Sequence, residues 1–336
     1  MDAKKVRKFV MQYAIYIVLV LLIVVIAAQN PEFLSINNLR NILIMSSTRI
    51  IIALGVGGIL ITQGTDLSAG RMVGLAAVLS ASLMQTLEYS RRFYPDLPLV
   101  SIFVPIVLCI LVGAIIGFFN GVVVSKLNVP PFIATLGMMV IVYGINSIYF
   151  SLPPNNSQPI GGLREDFTAL GTGYIGPSGP YSIPYIVIIA LAVTVLVWVL
   201  FNKTTIGKYL YAIGGNPQAA KVSGINVVGV LIFVYTFAGA MYGLAGLLEA
   251  ARTGGATNNY GNMYELDAIA ACVVGGVSTS GGIGTVPGMV AGVLIFSVIN
   301  YGLTFIGVNP YWQQIVKGLI IVFAVAFDIA KYYVKK

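Results

Sequence analysis

Histidine is absent from this 336-residue chain, cysteine occurs only twice, and charged residues make up just 9% of the total. Without imidazole there is no histidine base for catalysis and no histidine ligand for a metal. Cys109 and Cys272 lie in separate apolar runs, so they form neither a disulfide framework nor a C-x-x-C metal motif. Such cysteines usually act as small buried hydrophobes. A phosphate-binding loop G-x-x-x-x-G-K-[ST] is also missing, because the one Gly-Lys pair, Gly207-Lys208, has Asn202 where the first glycine belongs. The chain therefore cannot be its own P-loop ATPase. Soluble domains carry ~25% charged residues, so the scarcity of charge excludes a soluble globular protein.

What is present is apolar. Hydrophobic residues reach 58% and the mean hydropathy is +0.92. Apolar runs recur near 13–28, 41–62, 69–87, 99–124, 131–150, 182–201, 226–248, 264–282, 286–306 and 314–330. Because a span needs ~20 residues, the pattern predicts an all-α polytopic membrane protein of about ten transmembrane helices. The first run is longer than the ~7–15 residues of a signal-peptide core and leads into Ala28-Gln29-Asn30-Pro31, so it reads as a retained helix.

Ten crossings put both ends on one side. That side then holds Lys4, Lys5, Arg7, Lys8, Arg71, Lys126, Lys203, Lys208, Lys221, Lys331, Lys335 and Lys336, twelve of the nineteen basic residues. Arg40, Arg91, Arg92, Arg164 and Arg252 fall on the other. The positive-inside rule predicts N-in, C-in. The net charge of +8 thus reports topology and calls for no nucleic-acid partner.

Two connections exceed simple turns. The outer segment from Ser151 to Tyr181 is rich in Pro, Gly and Asn, a composition expected to give irregular, water-facing backbone. Within the inner segment 202–226, Asn216-Pro217-Gln218-Ala219-Ala220-Lys221-Val222-Ser223-Gly224 reads as a two-turn helix, with Asn216 as N-cap, Pro217 at its first position and Gly224 just past its end. A short stiff helix between spans suits a lever; a capped interfacial turn would carry the same caps. Asn120 and Pro130 recur as Asn300 and Pro310 at an offset of 180. That weak repeat suggests two inverted five-span halves, 1–175 and 176–336, within one transmembrane domain, an architecture common among transporters.

Several polar residues interrupt the apolar pattern. Gln63, Asp66 and Arg71 lie in Thr62-Gln63-Gly64-Thr65-Asp66-Leu67-Ser68-Ala69-Gly70-Arg71. This stretch is either a cytoplasmic turn in which Asp66 caps the next helix through the Ser68 and Ala69 amides, or a broken helix facing a solute pathway. Glu249, Arg252, Glu265 and Asp267 bracket a Gly- and Asn-rich segment and are expected to pair at the outer face or line an outer mouth. Arg49 and Lys317 sit inside apolar runs, where packing against a carboxylate or snorkelling is expected. Gly113, Gly117 and Gly121 form a small-residue stripe suited to close helix packing or a dimer seam. Asn120 and Asn300, with Tyr143, Asn146, Tyr235, Tyr301, Tyr311 and Trp312, could offer hydrogen bonds and stacking faces to a sugar-like solute, and interfacial aromatic belts explain many of them as well. Gln63, Asp66, Asn120, Glu249 and Asn300 are the gate or pathway candidates.

From about Phe33 to Asp328 the chain resembles the permease subunits of bacterial ABC sugar importers of the ribose, xylose and galactose kind. The matching residues are Gly64-Thr65-Asp66-Leu67-Ser68-Ala69-Gly70, Asn120-Gly121 with Pro130-Pro131-Phe132, Ile213 to Ile225, and Glu265-Leu266-Asp267-Ala268 through Gly276. Gln63-Gly64-Thr65-Asp66, Tyr143-Gly144-Ile145-Asn146 and Asn309-Pro310-Tyr311-Trp312 look like its galactose/methyl-galactoside branch.

The resemblance implies a permease in the bacterial inner membrane that acts with a second copy of itself, cytoplasmic ABC ATPase subunits and an extracytoplasmic sugar-binding protein. It implies that ATP and Mg2+ bind the ATPase, that this chain binds no cofactor, and that the 202–226 segment couples to the ATPase through Asn216, Pro217, Ala219, Ala220, Lys221 and Gly224. The expected function is translocation of galactose, methyl-galactoside or a related monosaccharide, in a chain that is not itself an enzyme. An ion-gradient-driven sugar transporter is the alternative, with Asp66, Glu249, Asp267 or Asp328 as coupling carboxylate. An integral-membrane enzyme lacks a clustered nucleophile and base.

Overall fold

The computed structural model describes residues 19–333, apart from Leu22, Pro177, Ser178 and Pro180. Lys4, Lys5, Arg7 and Lys8, the start of the first apolar run, Lys335 and Lys336 lie outside the described residues. A helix stands at each of the ten apolar runs: α1 (Leu19–Gln29), α2 (Ile36–Ile61), α3 (Ala69–Leu83), α4 (Phe103–Ser125), α5 (Pro131–Ser151), α7 (Tyr185–Lys203), α10 (Val227–Thr253), α11 (Tyr264–Val274), α12 (Val286–Phe305) and α13 (Pro310–Tyr333). Between them lie α6 (Glu165–Thr172), α8 (Thr205–Gly215), α9 (Pro217–Val222) and a two-stranded ribbon of β1 (Tyr174–Ile175) and β2 (Ile183–Pro184), paired antiparallel. Among the described residues six helices, α2, α4, α5, α7, α10 and α12, are long and apolar enough to cross a membrane.

Helix starts follow local chemistry. The Ser35 hydroxyl accepts from the Asn38 amide, Thr204 from Gly207 and Thr285 from Gly288, satisfying amides that have no partner within their helices. Proline occupies the first turn of α5 and α12, where its missing N–H costs nothing.

Helix α2 is the centre of the bundle and is buried continuously from Ile50 to Ile61. Helices α4, α5 and α7 leave most of their apolar side chains half-buried or exposed, as lipid-facing helices do. Lipid tails are as apolar as leucine, so helix association in a membrane depends on close packing. The glycine stripe provides it: a Cβ at Gly113 would lie 2.1 Å from the Gly239 carbonyl oxygen, and one at Gly117 2.1 Å from that of Tyr235. The stripe therefore seats α4 on α10 within one chain.

Two expectations change. The apolar run 264–282 is not one span: α11 has 11 residues, about 16 Å at 1.5 Å per residue. The preceding segment, residues 254–263, does not stay at the outer face. It runs down α3, so that a Cβ at Gly74 would meet the Tyr260 carbonyl oxygen at 2.3 Å and one at Gly70 that of Gly261 at 2.1 Å. Irregular backbone at membrane depth is tolerated where protein buries it, and these glycines let α3 cover it. The outer 151–181 segment is likewise more ordered than its composition suggests. It contains α6, buries Ile160 and Phe167, and bridges to α10's outer end through Ile160 and Ala256 and to α3's through Leu163 and Gln85.

Candidate functional site

Between α2 and α3 the chain breaks inside the bundle. Asp66 is fully buried; its Oδ1 accepts from the Ser68 amide at 2.9 Å and the Ser68 hydroxyl at 2.6 Å. It caps through Ser68 alone, without the expected Ala69 amide. Asn120 on α4 donates to the Ser68 hydroxyl at 2.9 Å, Thr135 on α5 accepts from the Leu67 amide at 3.1 Å, and Tyr235 on α10 donates to the Thr65 carbonyl at 3.2 Å. Three helices thus hold this irregular strand in place. The Arg71 guanidinium donates to Asn262 at 2.7 Å and lies 4.4 Å from the Tyr143 ring centre in the middle of α5. It braces α3 against the re-entrant segment.

A second polar cluster links α2, α10, α11 and α13. Glu249, 2% exposed, accepts from Arg252 at 2.7 Å, Thr48 at 2.9 Å and the Tyr264 hydroxyl at 3.2 Å. The Arg49 guanidinium stacks 3.2 Å from the centre of the Tyr264 ring. Asp267 binds Lys317 at 3.1 Å and lies 3.6 Å from Arg49. A charged residue at the centre of a span costs ~2.5–3.5 kcal/mol on the insertion scale, and these pairs offset much of that cost. The expectation that Arg49 and Lys317 meet a carboxylate holds, and both meet the same one. Beside them is a cavity of about 220 Å3 between α2, α11, α12 and α13, to which Asn300 and Gln313 also contribute.

The third element lies at the opposite end from the 151–181 segment, where Lys203, Lys208 and Lys221 cluster. There α9 forms as its sequence dictates: Asn216 Oδ1 accepts from the Gln218 and Ala219 amides, both at 3.0 Å, and Gly224 follows the helix at φ +84°. Helix α8 ties this end to the core. Gln63, whose φ is +64°, donates to the Gly214 carbonyl at 2.8 Å, and Tyr211 donates to that of Gly284 at 3.0 Å. Burial raises the Tyr211 pKa above the usual tyrosine value, so the phenol stays a donor. Any movement of α8 and α9 therefore pulls on both the α2–α3 break and the segment preceding α12.

The structure brings Asp66 and Asn120 together through Ser68 and puts Glu249 in the separate cluster. All three are buried, whereas Gln63 is exposed and Asn300 borders the cavity. Ala219 and Ala220, both assigned to the coupling surface, point in different directions. Neighbouring helical residues point about 100° apart; Ala219 is exposed and Ala220 is buried. Sequence reasoning overlooked Val222, which is 86% exposed on α9. Its signal was the lone β-branched residue of a short capped helix. Tyr264, which links Glu249 to Arg49 within the second cluster, was also missed.

The geometry is that of a polytopic transport protein with broken helices in its core and a capped helix at its lysine-rich end. A family described as the permease component of branched-chain amino acid transport systems matches residues 38–325, and the chain belongs to this family of membrane permeases. It is 56% identical over 322 residues to the galactose/methyl galactoside import permease protein MglC of Salmonella typhimurium, covering 96% of this chain and 95% of that protein. With the protein of the same description from Escherichia coli strain K12 it shares 53% over 336 residues, 100% and 99% of the two chains. The ribose import permease protein RbsC of Escherichia coli K12 is 37% identical over 325 residues, 97% and 96% of the two chains. No solved structure matches significantly.

Proposed function

We propose that this chain is the membrane-spanning subunit of an ATP-binding cassette importer that passes galactose or methyl galactoside into the bacterial cytoplasm. The observation that carries the reading is identity of 53–56% with three galactose/methyl galactoside import permeases along nearly the full length of each, well above the 37% shared with a ribose permease. The permease sits in the inner membrane, with the lysine-rich end in the cytoplasm. Two copies enclose the path, an extracytoplasmic binding protein delivers the sugar to the 151–181 face, and an ATPase subunit binds ATP and Mg2+. This chain supplies the path and the coupling surface.

Helix α9 is the coupling element. Its own caps hold it rigid, Val222 and Ala219 project outward, and α8 carries its movement to Gln63. In the pathway reading, the α2–α3 break around Asp66 and Asn120 is the inner gate, and the Asn300 cavity lies on the outer approach. Purified permease and ATPase should form a complex whose ATP hydrolysis rises when galactose-loaded binding protein is added. Absence of a complex, together with galactose accumulation by the permease alone under an ion gradient, would establish the ion-coupled alternative instead.

A further inference from the structure

The re-entrant segment 254–263 is covered by α3 on one side, where Gly70 and Gly74 receive its backbone, and is open on the other. Asn259, Asn262 and Met263 are exposed there, Met263 by 47%. Their depth follows from their neighbours. Arg71 reaches both Asn262 and the Tyr143 ring, and Tyr143 stands about 18 Å from the start of α5 and about 12 Å from its end. Tyr264, the residue after Met263, stacks on Arg49 halfway along α2. The hydrocarbon core is ~30 Å thick, so these side chains sit near its middle. Non-helical backbone at that depth is found inside protein or against water, never against lipid.

We propose that the open side of this segment is a wall of the sugar path in mid-membrane, where the Asn262 amide donates to a hydroxyl of the passing sugar and Arg71 is the positioning residue. The proposal rests on the import reading and names where in this chain the sugar runs. A guanidinium only donates, so Arg71 settles which end of the Asn262 amide faces it: Oδ1 accepts at 2.7 Å. The amide nitrogen, with no hydrogen bond among the described residues, is left as an oriented donor on an exposed side chain. Met263 is held at φ +62°, a left-handed conformation that a side chain of this size rarely adopts and that recurs at ligand-binding sites. A neutral polyol suits such a wall. An ion does not, because Arg71 is engaged with Asn262 and Tyr143 and the Glu265 side chain is buried. A second copy closes the path from the other side, so the exposed amides meet water and sugar in place of lipid.

The test uses the complex of permease, ATPase and binding protein in vesicles. Met263→Cys and Asn259→Cys are probed with a water-soluble maleimide, and Val195→Cys, 53% exposed midway along the apolar α7, is the lipid-facing control. Cys109 and Cys272 are fully buried and do not compete. Maleimide reacts with the thiolate, which forms in water and not in hydrocarbon, so both path variants should label about tenfold faster than the control or more. Asn262→Leu should lower galactose uptake about fivefold, the effect of one lost hydrogen bond, and Asn262→Gln, which keeps the amide, should restore much of it. Arg71→Met should also lower uptake, and Arg71→Lys, which still donates to Asn262, should recover part. Each variant is compared with the parent for membrane level and melting temperature.

Labelling of Met263→Cys and Asn259→Cys no faster than that of Val195→Cys would put this side against lipid. Slow labelling joined to an oxidised dimer through Met263→Cys would make it a dry seam between two copies. Either result overturns the path wall, as does parental uptake in Asn262→Leu. The labelling needs no substitution at Asn262, so it decides the question even where Asn262→Leu fails to fold. Uptake driven by ATP and binding protein is scored on the same vesicles. Normal uptake with slow labelling removes the path wall alone, and uptake missing from the unmutated complex counts against the import reading beneath it.

Discussion

Replacing Val222 tests the coupling helix without disturbing the permease itself. The side chain is 86% exposed, so its loss should change the permease's own stability by no more than about 0.5 kcal/mol. Docked into an ATPase groove it would be buried. Val222→Ala then removes two methyl groups at ~0.8 kcal/mol each, close to the ~1.4 kcal/mol of a tenfold change in affinity. Val222→Asp adds the burial of a carboxylate with no counter-charge, a further ~1–3 kcal/mol, so affinity should fall by about a hundredfold to a thousandfold. The assay is a titration of fluorescent ATPase onto detergent-solubilised permease, with the melting temperature of each variant measured alongside. Ala220→Glu is the contrast: that residue is buried, so the substitution should lower the melting temperature itself. If Val222→Asp bound the ATPase with parental affinity, α9 would be reduced to a capped connecting turn.

Gly117→Leu should force α4 off α10, because even a Cβ there lies 2.1 Å from a backbone oxygen, whereas Gly144→Ala has nothing within 4 Å; the first should lower membrane level and melting temperature, and matching values for the two would contradict the packing account. Asp267→Ala leaves Arg49 and Lys317 facing one another without their carboxylate and should destabilise by about 1–3 kcal/mol, less than the ~3–5 expected of a fully buried pair. Lys317→Met should recover part of that loss in the double variant, and purely additive losses in a thermal double-mutant cycle would refute the triad. Asp66→Ala removes both acceptor contacts to Ser68 while Asp66→Asn keeps the Oδ1 position; galactose uptake should fall much further in the alanine variant, and equal uptake at matched membrane levels would leave Asp66 outside the gate.

How much of this was legible depended on how local the cause was. The caps of α9 follow from residues two and three apart and were readable in full. The Gly113, Gly117 and Gly121 stripe was readable as a packing face, and its partner on α10 carried its own signal in Gly239 and Gly243 at the same spacing of four. The re-entrant segment before α11 was not readable. Hydropathy reports how apolar a run is, and a half-helix buried among other helices is as apolar as one that crosses. What distinguishes them is that α3 offers Gly70 and Gly74 to the backbone of Tyr260 and Gly261, a contact between distant parts of the chain. Arg49, Asp267 and Lys317 each stood out as charges in apolar surroundings. Their convergence on one carboxylate, and on a cavity, required the three-dimensional arrangement of three helices.

The central claim is that this chain is the path of an ATP-driven galactose importer, and vesicle accumulation tests it most directly. Permease, ATPase and binding protein are reconstituted together, ATP is enclosed on the α9 side, and labelled galactose is added outside. The account predicts accumulation above the external concentration that requires all three proteins and stops when either ATP or the binding protein is omitted. Accumulation by the permease alone, driven by a proton or sodium gradient and indifferent to ATP, would contradict it.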